Sequence, residues 1–92
     1  MSSNKQPIPL GLIGIKPYIE FVVEKGFSPM EPDDTILQDD AFENAPSVYI
    51  DGLLLTYLPL DSRRYVTYDG SAKTITLNNA GVNEGEIVQI FL

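Results

Sequence analysis

Asp33, Asp34, Asp39, Asp40 and Glu43 stand within thirteen residues, in "EPDDTILQDDAFE" (residues 31–43). Carboxylate oxygens in such number are what a hard cation such as Ca²⁺ takes as ligands. The EF-hand spacing and its central glycine are absent, so the stretch reads first as a solvated acidic loop and only second as a cation site. Arg63 and Arg64, the only arginines, form a second group. Paired guanidinium groups suit a phosphate or the carboxylate of a sialic acid. The plainer expectation is an ion pair with an acidic surface, on this chain or on a neighbouring subunit. The third group is Tyr18, Tyr49, Tyr57, Tyr65 and Tyr68, whose flat rings would stack on a glycan. Tyrosine is also favoured on half-buried strand faces for packing alone, and with no tryptophan present that reading is the stronger one.

Catalysis finds little to work with. The chain has no histidine and no cysteine, which excludes Ser-His-Asp and Cys-His arrangements, thiolate metal sites and disulfides. Neither G-x-G-x-x-G nor G-x-x-x-x-G-K-[ST] occurs. Two carboxylates would suffice for glycoside hydrolysis. They need a walled cleft to shift one pKa, and 92 residues leave little material for walls. The expectation is a non-enzyme with no catalytic residues, no cofactor and no metal.

The composition describes what remains. Ninety-two residues, 43% hydrophobic, make one domain with a thin core, for which association adds stability. Six basic against thirteen acidic residues give a net charge of −7, which argues against nucleic acid and against an anionic membrane surface as partners. The longest apolar stretch, "IPLGLIGI", is broken by proline and glycine and is too short to span a bilayer. "MSSNKQP" has no apolar core of a signal peptide. The initiating methionine, and a last residue inside a strand pattern, predict a complete small protein.

Any site must be carried by the following elements. Residues 1–17 hold Pro7, Pro9 and Pro17 with Gly11 and Gly14, and read as an extended arm. Its apolar side chains are Ile8, Leu10, Leu12, Ile13 and Ile15. The arm either packs along its own domain as an edge strand or docks on a neighbouring chain. Residues 18–92 read as the β-domain. "YIEFVVE" (18–24) alternates as a half-buried strand, with Ile19, Phe21 and Val23 on one face. Residues 27–47 are acidic and punctuated by proline, with a short strand over 35–37 and a helical turn in "DDAFEN" capped by Asp39. "VYID" and "LLLTYL" flank Asp51-Gly52, a tight-turn signal. "RYVTYD" and "KTITLN" flank Asp69-Gly70-Ser71, and "EIVQIFL" closes the sheet with Val88, Ile90 and Leu92 on one face. Six or seven short strands with such turns predict an all-β antiparallel sandwich or small barrel. Parity places Ile19, Phe21, Val48, Ile50, Val66, Tyr68, Ile75, Leu77, Val88 and Ile90 inside.

The order "TIL", "VYIDG", "RYVTYDG", "TITL", "GEIVQIFL", over roughly residues 33–92, resembles a small β-sandwich module of tailed-phage virion structural proteins, of decoration, head-fibre or tail-fibre type. That resemblance brings no catalytic residues. It implies a virion structural protein, made in the host cytoplasm and placed on the capsid surface. The leading expectation is a capsid decoration (cement) protein. It would self-associate as a homotrimer and bind the major capsid protein or other virion proteins. Ile8, Leu10, Leu12, Ile13, Ile15, Arg63 and Arg64 are the candidate contact residues. A tail-fibre, head-fibre or neck component is the rival within that class, and a glycan-binding module for host attachment is the rival outside it.

Overall fold

The computed structural model describes residues 15–27 and 29–92. Among the described residues seven antiparallel strands carry the fold: β1 (Ile19–Val22), β2 (Ile36–Gln38), β3 (Ser47–Ile50), β4 (Leu53–Leu54), β5 (Tyr65–Asp69), β6 (Thr74–Asn78) and β7 (Ile87–Phe91). They form a four-stranded sheet in the order β1-β7-β3-β4 and a three-stranded sheet in the order β2-β6-β5. No helix occurs among the described residues, and so none long and apolar enough to cross a membrane. The all-β expectation holds.

Alternation builds the core. On β3, Val48 and Ile50 are buried and Ser47 is exposed; on β6, Ile75 and Leu77 are buried between half-buried neighbours. Phe21, Val48, Ile50, Val66, Ile75, Leu77, Val88 and Ile90 are buried in one cluster, with Ile19 and Tyr68 half-buried against it. The register sets Phe21 opposite Val88, Ile50 opposite Val88 and Val66 opposite Leu77, so facing residues share the inner side. Removing each such side chain from water contributes about 1.5–3 kcal/mol before the entropy of ordering is charged against it.

Loops complete the core. Met30, Phe42 and Val82 lie outside every strand and are buried. Backbone bonds seam the two sheets: Val66 N–H donates to Thr56 C=O (3.0 Å), Asp33 N–H to Val82 C=O (2.7 Å) and Val82 N–H to Asp34 C=O (3.0 Å). Gly81 sits where a Cβ would run into the Asp33 and Asp34 carbonyl oxygens, so only glycine permits that seam.

Three local expectations are corrected. "DDAFEN" forms a single turn and no helix, although Asp39 caps it as expected. Asp39 Oδ1 accepts the Ala41 N–H (2.9 Å) and the Asp39 carbonyl accepts the Phe42 N–H (3.0 Å), closing a turn that drops Phe42 into the core. The strand expected over "LLLTYL" is only Leu53–Leu54, because the chain leaves β3 after the Leu55 N–H bond to Val48 C=O and meets the other sheet at Thr56. Leu92 lies beyond the end of β7 and is 67% exposed. Its neighbour Phe91 is buried instead, on the opposite face, edge-on to Tyr49 with ring centroids 5.5 Å apart.

Candidate binding surface

β4 lies at an edge of the four-stranded sheet, and among the described residues it pairs only with β3. The Asp51-Gly52 turn creates it. Both residues have positive φ (52° and 83°), the two-residue hairpin geometry that Asp-Gly favours. In the resulting register Ile50 faces Leu53 and Tyr49 faces Leu54. Ladder bonds alternate in an antiparallel pair, and Val48 bonds Leu55 directly. Leu54 is therefore the non-bonded partner, and its N–H and C=O point away from β3 toward the open edge.

Beside that edge lies a groove of about 560 Å³, walled by Leu53, Leu54, Leu55 and Thr56 on one side and by Leu60, Arg63 and Arg64 on the other. Leu53 is 68% exposed and Leu54 53%. An open edge flanked by bare leucines is a ready template for another strand, which folded proteins otherwise cover.

The far wall is held rigidly. Arg64 Nη1 and Nη2 donate to Glu86 Oε1 (2.8 Å) and Oε2 (2.7 Å), and Nη1 also donates to the Gly81 carbonyl (3.0 Å). Glu86 Oε1 accepts the Asn83 N–H as well (2.8 Å). The bidentate bond to Arg64 outweighs burial and holds the Glu86 carboxyl below the usual range, and it raises the Arg64 pKa in turn. Asn79, at φ 79°, donates from its amide to the Leu60 and Arg63 carbonyls, both at 2.7 Å, and so fixes the 60–63 turn.

The candidate contact residues separate accordingly. Arg63 is exposed on the groove rim, whereas Arg64 pairs within its own chain and serves as a strut. Ile15 is 51% exposed. Ile8, Leu10, Leu12 and Ile13 lie outside the described residues.

Tyrosines and acidic residues act mostly inside the fold. Tyr57 OH donates to Pro46 C=O (2.6 Å) and Tyr68 OH to Phe42 C=O, tethering the loop before β3 from two sides. Burial pushes the Tyr57 phenol up to about 12. Tyr18 OH donates to Asp39 Oδ1 (3.1 Å), and that bond raises the Tyr18 pKa. Asp34 Oδ2 accepts the Glu31 N–H, and Asp40 Oδ1 accepts from Gln38 Nε2. Among the described residues no three acidic side chains converge as a metal site would require. The leucine edge escapes sequence reasoning because "LLLTYL" has the text of an ordinary inner strand. Its one available signal is a run of three leucines directly after a tight turn, where strict alternation would place a polar residue. Compared with known protein families, characterised proteins and solved structures, the chain matches none.

Proposed function

We propose that this chain is a non-enzymatic structural protein of a tailed-phage virion, acting as a capsid decoration protein. One observation carries the reading of a docking module: the open β4 edge with exposed Leu53 and Leu54 beside a groove whose far wall is braced by Arg64–Glu86. A rigid groove next to unpaired backbone suits strand addition, where main-chain bonds supply affinity and side-chain pockets supply selectivity. The choice of virion and capsid rests on the ordered resemblance of "VYIDG", "RYVTYDG", "TITL" and "GEIVQIFL" to phage structural modules. Acidic charge, small size and an apolar arm suit an ornament laid on a shell. Self-association as a homotrimer and contact with the major capsid protein belong to the same proposal.

Copy number in purified particles tests it. Quantitative mass spectrometry should find the chain in stoichiometry with the shell, in hundreds of copies. A handful of copies would place it in the tail or neck, and its absence from particles would overturn the virion reading.

A further inference from the structure

We infer that the β4 groove of one copy receives residues 8–12 of a second copy as an added strand. This deepens the docking reading above and rests on it.

In a strand, the N–H and C=O of residue i point to one edge and those of residue i+1 to the other. Pro7 and Pro9 share one parity and have no N–H, so that edge of the arm cannot pair. Ile8, Leu10 and Leu12 share the other parity and keep every donor and acceptor. As a strand, the segment "PIPLGL" pairs on one side only. It fits an open edge and presents a blocked edge outward, the arrangement that closes a sheet without inviting a further strand.

The groove offers the complementary half at one residue, Leu54, since the next outward group on that edge, the Thr56 C=O, already accepts the Val66 N–H (3.0 Å). Leu54 directs its N–H and C=O at it and exposes its side chain beside Tyr49 and Phe91 on the outer face. An arm residue bonded to Leu54 puts its side chain on that same outer face. With Leu10 opposite Leu54, the two leucines form a cross-strand pair that extends the row Leu54-Tyr49, while Pro9 and Gly11 turn to the other side.

Reach decides which copy supplies the arm. The described chain enters the sheet at β1, on the edge opposite β4. A strand added outside β4 lies four inter-strand spacings from β1, about 19 Å. From Tyr18 back to Leu12 the chain spans at most about 22 Å when fully extended. That leaves only about 3 Å, too little for rising over the Tyr49 and Phe91 side chains on the outer face and returning. The arm of a second copy has no such constraint. The contact joins unlike surfaces, so it is either exchanged between two copies or repeated head to tail, and a repeat forms a ring where its rotation closes.

The chain lacks cysteine, so single introduced thiols report the contact without background. Full-length Leu10→Cys and full-length Leu54→Cys are mixed and oxidised, with Ile36→Cys, exposed on β2, replacing Leu54→Cys as control. The Leu10→Cys/Leu54→Cys heterodimer should form at least about tenfold faster than the control, because docking raises the local thiol concentration. Equal rates at both positions, or no heterodimer, would overturn the inference. So would an internal disulfide in a monomeric Leu10→Cys/Leu54→Cys double variant. Hydrogen exchange of unmodified protein gives a second readout: the Leu54 amide should be protected at assembling concentration and lose protection on dilution, and an unprotected amide at every concentration overturns the docking. Failure here leaves the particle copy number untouched, and absence from particles leaves the cross-link intact, so the two readings fail separately.

Discussion

Arg64 and Glu86 show what a single charged pair does in an acidic chain. Their side chains are 21% and 14% exposed, so the pair is screened less than a surface bridge, and its carboxylate is satisfied further by the Asn83 amide. Arg64→Ala leaves Glu86 largely buried without its cation and frees the wall of the groove. The expected loss is about 2–3 kcal/mol, below the figure for a fully buried pair because some solvent reaches both groups. Urea denaturation at neutral pH measures it. The pH dependence has a definite sign. Glu86 titrates lower in the folded state than in the unfolded chain, so its contribution is fully present above the ordinary glutamate range. It is lost as pH falls through that range toward the depressed folded value. The wild type should therefore lose stability more steeply on acidification than Arg64→Ala, and parallel curves would show that the pair contributes nothing.

Two glycines set the element scale by different mechanisms. Gly52 has open space around it but a φ of +83°, so Gly52→Ala meets only backbone strain, worth about 1–2 kcal/mol for an L-residue held left-handed. Gly81→Ala meets the Asp33 and Asp34 carbonyls, and backbone does not move aside as a side-chain tip does. It should cost at least as much as overpacking a core, about 1–3 kcal/mol, and should open the seam between the β6–β7 loop and the 33–34 segment. Denaturation midpoints of the two variants rank the mechanisms directly, with Gly81→Ala the lower. The same elements show why parts of the fold were legible. Strand faces have period two, so Val48 and Ile50 or Ile75 and Leu77 announce their side from sequence alone. Phe42 and Met30 do not, because they are buried from loops where no period exists and only the isolated apolar residue among acidic ones marks them. Arg64 finds Glu86 across 22 positions, a pairing that exists only after the sheets have closed. The open β4 edge is likewise a property of sheet order, which strand text does not encode.

At the scale of the whole molecule, two forces oppose each other on association. Among the described residues every strand and every core residue lies between Ile19 and Phe91, so a chain beginning at Tyr18 should fold cooperatively, and its stability should match the full chain in dilute solution. If the arm works between copies, that truncated chain should sediment as a monomer where the full chain assembles. Failure of the truncation to fold would make the arm part of the core. Against association stands a net charge of −7 on each copy. Bringing such copies together adds like-charge repulsion, which salt weakens: the screening length falls from roughly 30 Å at 0.01 M to about 8 Å at 0.15 M ionic strength. The inferred contact is mainly leucine, isoleucine and backbone, with Thr56, Arg63 and Arg64 also lining the groove, and its apolar part is left nearly untouched by salt. Assembly should therefore tighten as salt rises over this range, with sedimentation velocity showing a larger assembled fraction at fixed protein concentration. The opposite trend, dissociation by salt, would mean that Arg63 on the groove rim engages acidic residues of a neighbour and that ion pairs, not the leucine edge, hold the copies together.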